Sequence, residues 1–378
     1  MKKIALGFIG LGMLTACQQT ANISGTLSGI ENDTIMANIY IPGQDKMSVD
    51  TIPMQNGKFA FNIGDSVIKQ VYIYAKPLAG NEAHPANIKA ASFMLIPGKP
   101  VKITGSLDNY RLEGDRFYED YNQILTDCQP YMQKIDSLTN ICLDLEKRIG
   151  TDGITPDSVR QVYAPARELV NAMLDVKKNY IRQNPDNDLS VYLLSTTSLK
   201  IVTEYIDSIA ERTQNGIMAP LYRVMKQDVD IEKSRNKAQE ALAPGAPAPD
   251  FTVKDLEGKD FTLSSLKGKY VVLDFWGSWC GWCIKGIPEM KKYYEKYKGR
   301  IEFVGIDCND TEEAWKKAVE EHKLPWINVR NDGNPDVSMM YGVSGYPTKF
   351  IIDPEGKIDK KIVGEDPEFY KYLDAIMK

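Results

Sequence analysis

Two cysteines, Cys280 and Cys283, stand three positions apart in Trp279-Cys280-Gly281-Trp282-Cys283. A Cys-x-x-Cys where a strand gives way to a helix is a redox pair. The first thiol then meets the free N–H groups and positive end of a helix, which favour an anion. Such placement lowers a thiol pKa from about 8.5 into the range ~3.5–7.5. The thiolate attacks a disulfide and forms a mixed disulfide. Cys283, one helical turn on and on the same face, is placed to attack the Cys280 sulfur and release the reduced product. Gly281 is expected to let the chain turn tightly between the two. The rival chemistry is half of a metal site. No second ligand pair is visible, however, and the histidines His84 and His322 are far apart and unclustered. No His follows Cys283, so the haem-attachment motif is not formed. The expectation is a site with no metal and no cofactor beyond its own Cys280–Cys283 disulfide.

The elements that must hold this pair are legible around it. Tyr270 to Phe275 reads as a buried strand, and a helix is expected from Cys280 to about Lys298. Another strand covers Ile301 to Ile306 and a helix about Glu312 to His322. Strands near 349–352 and 358–363 flank the turn Pro354-Glu355-Gly356, and a last helix runs from about Pro367 to Met377. Strand–helix alternation followed by a hairpin and a helix predicts an α/β layered domain over residues 246–378. Before it, residues 241–250 carry three prolines and are expected to form an extended linker.

Residues 22–110 read as an all-β, sandwich-like domain. Ile35, Ala37, Ile39 and Ile41 alternate, and Phe59, Phe61 and Ile63 alternate after the turn signal Asn56-Gly57. Residues 111–240 read as helical, with Phe117, Tyr121, Ile124, Leu125 and Cys128 at helical spacing. Cys128 and Cys142 lie fourteen residues apart, about 21 Å along one straight helix, beyond the reach of a disulfide. They are expected to be buried structural thiols, as is Cys308.

The chain of 378 residues suits two or three domains. With 46 Lys and Arg against 51 Asp and Glu there is no basic excess, so no nucleic-acid partner is expected. Six cysteines are too few for a disulfide-rich scaffold of this size. Lys2 and Lys3 precede an apolar run, Ile4 to Leu14, that is too short to span a bilayer and is followed by Leu14-Thr15-Ala16-Cys17. This resembles the lipobox of bacterial lipoproteins. The resemblance implies that residues 1–16 are a signal peptide and that Cys17 carries the lipid that anchors the chain to a membrane. Gln18, rather than Asp, follows Cys17, which favours the outer membrane. A periplasm-facing lipoprotein is expected.

Around the cysteine pair the likeness is specific. The run from Asp274 to Cys283 resembles the thioredoxin active-site segment. Gly342-Val343-Ser344-Gly345-Tyr346-Pro347-Thr348 resembles the thioredoxin cis-proline loop, and Pro288 matches the proline of the active-site helix. With the lead-in Pro249-Asp250-Phe251, these motifs resemble the TlpA/ResA-type extracytoplasmic thioredoxins over about residues 246–378. The β domain resembles one of unassigned function that precedes such modules in bacterial lipoproteins. The lead-in is shared with peroxiredoxins, but Gly277 stands where those have Thr.

The resemblance implies a thioredoxin fold and assigns roles. Asp274 would accept the Cys283 proton. Pro347 would be cis, its loop lying beside Cys280 with the Tyr346 backbone open to a substrate strand. Trp279 and Trp282 would offer apolar contact to the substrate. Trp282 replaces the usual Pro before the second cysteine. Gly286 replaces the Glu common three residues after it, so Asp274 is expected to be the only nearby carboxylate.

The expected activity is reduction of disulfides in extracytoplasmic proteins, with a transmembrane thiol transporter as electron donor. The alternatives are a disulfide oxidase or isomerase, or a binding lipoprotein in which the thioredoxin module is secondary.

Overall fold

The structure, a computed structural model, describes residues 21–44, 46–64, 66–75 and 89–378. The segment 1–16, Cys17 and His84 lie outside the described residues. Two compact units emerge, Met1–Asp228 and Val229–Lys378.

In the first unit the described strands are β1 (Ile23–Ser28), β2 (Thr34–Tyr40), β3 (Met47–Pro53), β4 (Lys58–Phe61), β5 (Lys69–Tyr74), β6 (Ala90–Leu95), β7 (Val101–Ser106) and β8 (Asn109–Glu113). They form two sheets, ordered β4-β1-β7-β8 and β3-β2-β5-β6. Alternation sends Ile23, Leu27, Val101 and Ile103 of one sheet inward, and Ile35, Ala37, Ile39, Val71 and Ile73 of the other. Asn56 and Gly57 both have positive φ, 52° and 76°, as a tight two-residue turn requires. That turn hands the chain from β3 in one sheet to β4 in the other.

Helices follow: α1 (Arg116–Lys147), α2 (Pro156–Tyr163), α3 (Ala166–Gln183), α4 (Asp188–Ser195), α5 (Leu199–Tyr205), α6 (Glu211–Gln214) and α7 (Ala219–Ala241). Asp115 caps α1 by accepting the Phe117 N–H. Cys128 and Cys142 are buried on α1 and unbridged.

The second unit begins inside α7. The expectation of an extended linker over 241–250 is corrected: Ala241 still belongs to α7, residues 242–246 turn, only 247–250 are extended, and the stretch is not a free connector. Gly245 N–H donates to Ile358 O, Ile358 N–H to Ala246 O, and Ala248 N–H to Gly356 O, at 2.7–2.9 Å. This stretch is an added edge of the domain. The hairpin β9 (Thr252–Lys254) and β10 (Asp260–Thr262) comes next. Then come β11 (Tyr270–Trp276), α8 (Gly281–Lys296), β12 (Ile301–Cys308), α9 (Glu312–Glu321), β13 (Ile327–Asn331), α10 (Val337–Met340), β14 (Thr348–Ile352), β15 (Ile358–Val363) and α11 (Pro367–Ile376).

The central sheet is ordered β13-β12-β11-β14-β15. β11, β12 and β13 run parallel, β14 pairs antiparallel with β11, and β15 pairs antiparallel with β14. Its central strands are apolar on both faces, as strands covered on both sides must be. Val272, Trp276, Phe303 and Ile351 pack with Ile287 and Met290 of α8, Trp315 of α9 and Phe369 of α11. Leu273, Phe275, Val304, Ile306 and Phe350 face the opposite core, with Phe251 and Tyr341. Each such side chain taken from water contributes about 1.5–3 kcal/mol. This is a thioredoxin-like α/β layer. It places the C-terminal end of β11, and hence Cys280, at the start of a helix braced from below.

Candidate active site

The polypeptide leaves the sheet at Trp276 and enters α8 at Gly281, with Cys280 as its N-cap. Cys280 and Cys283 are joined, with S–S 2.02 Å and Cα–Cα 5.3 Å. The Cys283 N–H donates to Cys280 Sγ at 3.2 Å. A sulfur in that position is already solvated by the helix end, so its thiolate is favoured once the bond is reduced. Gly281 is the first residue of α8 and lacks positive φ, and nothing lies where its Cβ would be. The expectation that a tight turn needs this glycine is therefore corrected: the turn is an ordinary helix start.

The loop ahead of Cys280 is pinned from β12. Asp310 accepts the Ser278 N–H at 2.6 Å and the Ser278 hydroxyl at 2.7 Å. Trp279 Nε1 donates to Cys308 O at 3.1 Å, and its ring meets Tyr346 edge-on at 5.2 Å between centroids. Trp279 is 51% exposed and Trp282 63%, while the two cysteines they flank are only 6% exposed. Lys285 Nζ sits 4.9 Å from the centre of the Trp282 ring. The Tyr346–Pro347 peptide is cis, and Pro347 O accepts the Gly364 N–H at 2.8 Å. Val363, next to that contact, is 61% exposed. An apolar surround of Trp279, Trp282 and Tyr346 thus borders a narrowly exposed disulfide.

Beneath the site, Asp274 lies on the same face of β11 as Val272 and Trp276, which pack in one cluster with Cys280 and Cys283. It is buried, and burial is the main force raising its carboxyl pKa. The β11–β14 register sets Lys349 directly opposite Asp274. Lys349 Nζ lies 3.4 Å from Asp274 Oδ1, too poorly aligned for a hydrogen bond, and donates to Glu365 Oε2 at 3.0 Å. The expectation that Asp274 is the only nearby carboxylate is thereby overturned. Gly286 leaves open the space beside α8, and the Glu365 carboxyl fills it: a Cβ at 286 would stand 2.5 Å from Glu365 Cδ.

A second buried acid was also absent from the sequence reading. Asp307, next to last in β12, lies between Trp276 and Arg330 in the sheet register and is fully buried, with neither oxygen hydrogen-bonded. Burial, then the neighbouring Asp310 carboxylate, push it up to about 9. Burial likewise pushes the Cys308 thiol up to about 12, which leaves it no nucleophile. The structure therefore gathers Cys280, Cys283, Asp274, Trp279, Trp282, Tyr346 and Pro347 at one end of the sheet and adds Lys349, Glu365, Asp307 and Asp310. One signal for the additions was present: Asp274, Asp307 and Lys349 are charges inside apolar strands, and a buried charge must find a partner.

Residues 244–361 match the AhpC/TSA family. A thiol-disulfide oxidoreductase ResA of Bacillus cereus is 42% identical over 128 residues, covering 34% of this chain and 73% of that protein. ResA of Bacillus subtilis (strain 168) is 35% identical over 141 residues, 36% of this chain and 78% of that one. Among solved structures, the thioredoxin domain of a thiol-disulfide oxidoreductase from Bacteroides vulgatus is 37% identical. It is matched over 36% of this chain and 99% of its own length, with a TM-score of 0.34.

Proposed function

Because this chain belongs to the ResA family of thiol-disulfide oxidoreductases, we propose that it reduces disulfides in extracytoplasmic proteins from a lipid anchor at Cys17. The observation that carries the activity is the Cys280–Cys283 pair at the start of α8, with Cys280 as the helix cap. Reduced, Cys280 attacks one sulfur of a substrate disulfide and expels the other as a thiol or thiolate. Cys283 passes its proton to Asp274, attacks Cys280 Sγ, and expels the second substrate sulfur. Two electrons have then moved to the substrate, and the Cys280–Cys283 disulfide must be reduced again by a dithiol donor, a transmembrane thiol transporter in this reading.

The protein nature of the substrate is supported by the surroundings of the sulfurs. Exposed Trp279 and Trp282 favour an apolar polypeptide segment, and the Tyr346 backbone beside Pro347 suits pairing with an extended strand. The lipid anchor and the periplasm-facing location, at the outer membrane, rest on the sequence pattern ending at Cys17.

Insulin turbidity with dithiothreitol as donor tests the activity: wild type accelerates precipitation and Cys280→Ser does not. Equilibration of the pair with glutathione tests the direction. A potential near −270 mV, the thioredoxin end of about −270 to −120 mV, supports a reductase, and one near the other end overturns it. Labelling cells with a fatty-acid probe tests the anchor, which Cys17→Ala must abolish.

A further inference from the structure

Two buried groups under the disulfide, Asp274 and Lys349, and the partly buried Glu365 carry one positive and two negative formal charges. Lys349, 2% exposed, stands between Asp274 and Glu365, donating to Glu365 Oε2 at 3.0 Å and lying 3.4 Å from Asp274 Oδ1. Glu365 follows the turn residue Gly364, which has φ 85°, and accepts a second hydrogen bond from the Tyr370 hydroxyl at 2.8 Å. Its carboxyl reaches α8 only because residue 286 has no side chain.

The ammonium is thus shared between two carboxylates: it makes its aligned bond to Glu365 and lies within ion-pair distance of Asp274, so Asp274 does not have the full positive charge to itself. We propose that Glu365, acting through Lys349, is the positioning residue that keeps Asp274 able to take and return the Cys283 proton. Without Glu365, the full ammonium charge would fall on Asp274. That would hold it as a carboxylate and make it a poor proton acceptor.

The other ionisable groups near Asp274 point the same way. They are Tyr370 on α11 and Cys308 on β12, with Cys280 and Cys283 of the redox pair when reduced. None is a cation, so Lys349 is the one positive charge that acts on Asp274 among these described residues. The direction of the Asp274 pKa agrees: burial raises it most, Lys349 lowers it, and Glu365 raises it again. The proposal rests on the reading of Asp274 as the proton acceptor for Cys283, and the experiment separates the two.

Fully reduced protein is mixed with Ellman's reagent in a stopped-flow instrument. Two thionitrobenzoates leave in sequence, and the second reports Cys283 attacking Cys280 in the mixed disulfide. Its rate is followed from about pH 5 to 9. The wild-type profile should show a limb that Asp274→Asn removes. Glu365→Gln should move that limb down by about one pH unit or more, the size expected when a nearby opposite charge is unmasked. Lys349→Met in the Glu365→Gln background should move it back up. Glu365→Ala with Gly286→Glu, which returns a carboxylate from the helix side, should restore the wild-type limb. This pair also guards against a folding defect, because it removes the same side chain. If Asp274→Asn leaves the profile unchanged, the acceptor reading falls. If Asp274→Asn removes the limb while Glu365→Gln leaves it in place, the acceptor reading stands and the role given to Glu365 is overturned.

Discussion

Ser278 gives both of its donors to one carboxylate, that of Asp310, at 2.6 Å from the backbone N–H and 2.7 Å from the hydroxyl. This paired contact fixes the residue two positions before Cys280 to the loop after β12. Asp310 in turn is held down by Arg330, whose Nη2 donates to the Asp310 carbonyl at 3.1 Å. Partial burial works to raise the Asp310 carboxyl, but the neighbouring Asp307 and the Ser278 donors together hold it below its ordinary value. It therefore stays a carboxylate at neutral pH, and both contacts are charge-assisted.

Asp310→Ala removes both bonds and leaves the Ser278 N–H without its partner. Hydrogen bonds to a charged group contribute about 1.5–3 kcal/mol each, and two on one residue do not add fully. A loss of about 2–4 kcal/mol is expected in urea unfolding of the oxidised protein. Ser278→Ala keeps the backbone bond and should cost about half as much. Insulin reduction should fall in the same order. Equal losses for the two variants would mean that the backbone bond contributes nothing.

Asp307 predicts a pH dependence of stability with a defined sign. It is fully buried and pushed up to about 9, against an unfolded value near about 3.9. Between those values the folded chain holds a proton that the unfolded chain releases. The contribution of this group is therefore complete below about pH 4 and is lost as the pH rises toward 9. Asn copies the neutral form at every pH. The stability of Asp307→Asn relative to wild type should climb between about pH 5 and 8.5 in parallel denaturant titrations. A constant difference across that range would place the folded carboxyl near its ordinary value.

The thioredoxin-like layer and the Cys280–Cys283 site were largely open to reading because their signals are local. A three-residue interval, a buried apolar run and a Gly-x-x-Gly-x-Pro stretch each act over a few positions. The groups beneath the site were not local. Asp274 meets Lys349 through a sheet register that joins positions 75 residues apart, and Glu365 arrives from a turn beyond β15. The absence of a side chain at Gly286 was visible, but the group that fills the space was not, since only the folded chain brings position 365 over α8. The break at 241–250 was read from its prolines, but its turns and its pairing with residues 356–358 were not, since that pairing depends on a hairpin over a hundred residues later.

Trp282 separates docking from chemistry. It is 63% exposed, and Lys285 lies over its ring, so its loss should change stability by no more than about 0.5 kcal/mol. If its indole packs on a polypeptide substrate, Trp282→Ala should lose about 1 kcal/mol of binding, which is about a fivefold rise in KM for insulin. The rate with the small disulfide of Ellman's reagent should hardly move, because that molecule reaches the sulfur without covering the ring. Equal losses with both substrates would assign Trp282 to the electronics of the sulfur pair instead.

Gly342 tests whether the end of α7 steadies the loop that carries Tyr346 and Pro347. Its φ is +56°, a region that side chains disfavour, and a Cβ would stand 2.5 Å from Gln239 Cγ and 2.9 Å from Arg235 O. Gln239 Nε2 donates to Gly342 O at 2.6 Å. The helix and loop are thus in contact at a point where no side chain fits. Gly342→Val should cost several kcal/mol, since backbone strain and a clash against the carbonyl of Arg235 arise together. Gln239→Ala removes one neutral hydrogen bond and should cost about 1 kcal/mol. Both are measured by urea unfolding. Because Tyr346 packs on Trp279 from this loop, loosening it should also raise KM for insulin. If Gly342→Val unfolds at the wild-type denaturant concentration, the loop moves freely away from α7 and the helix does not steady it.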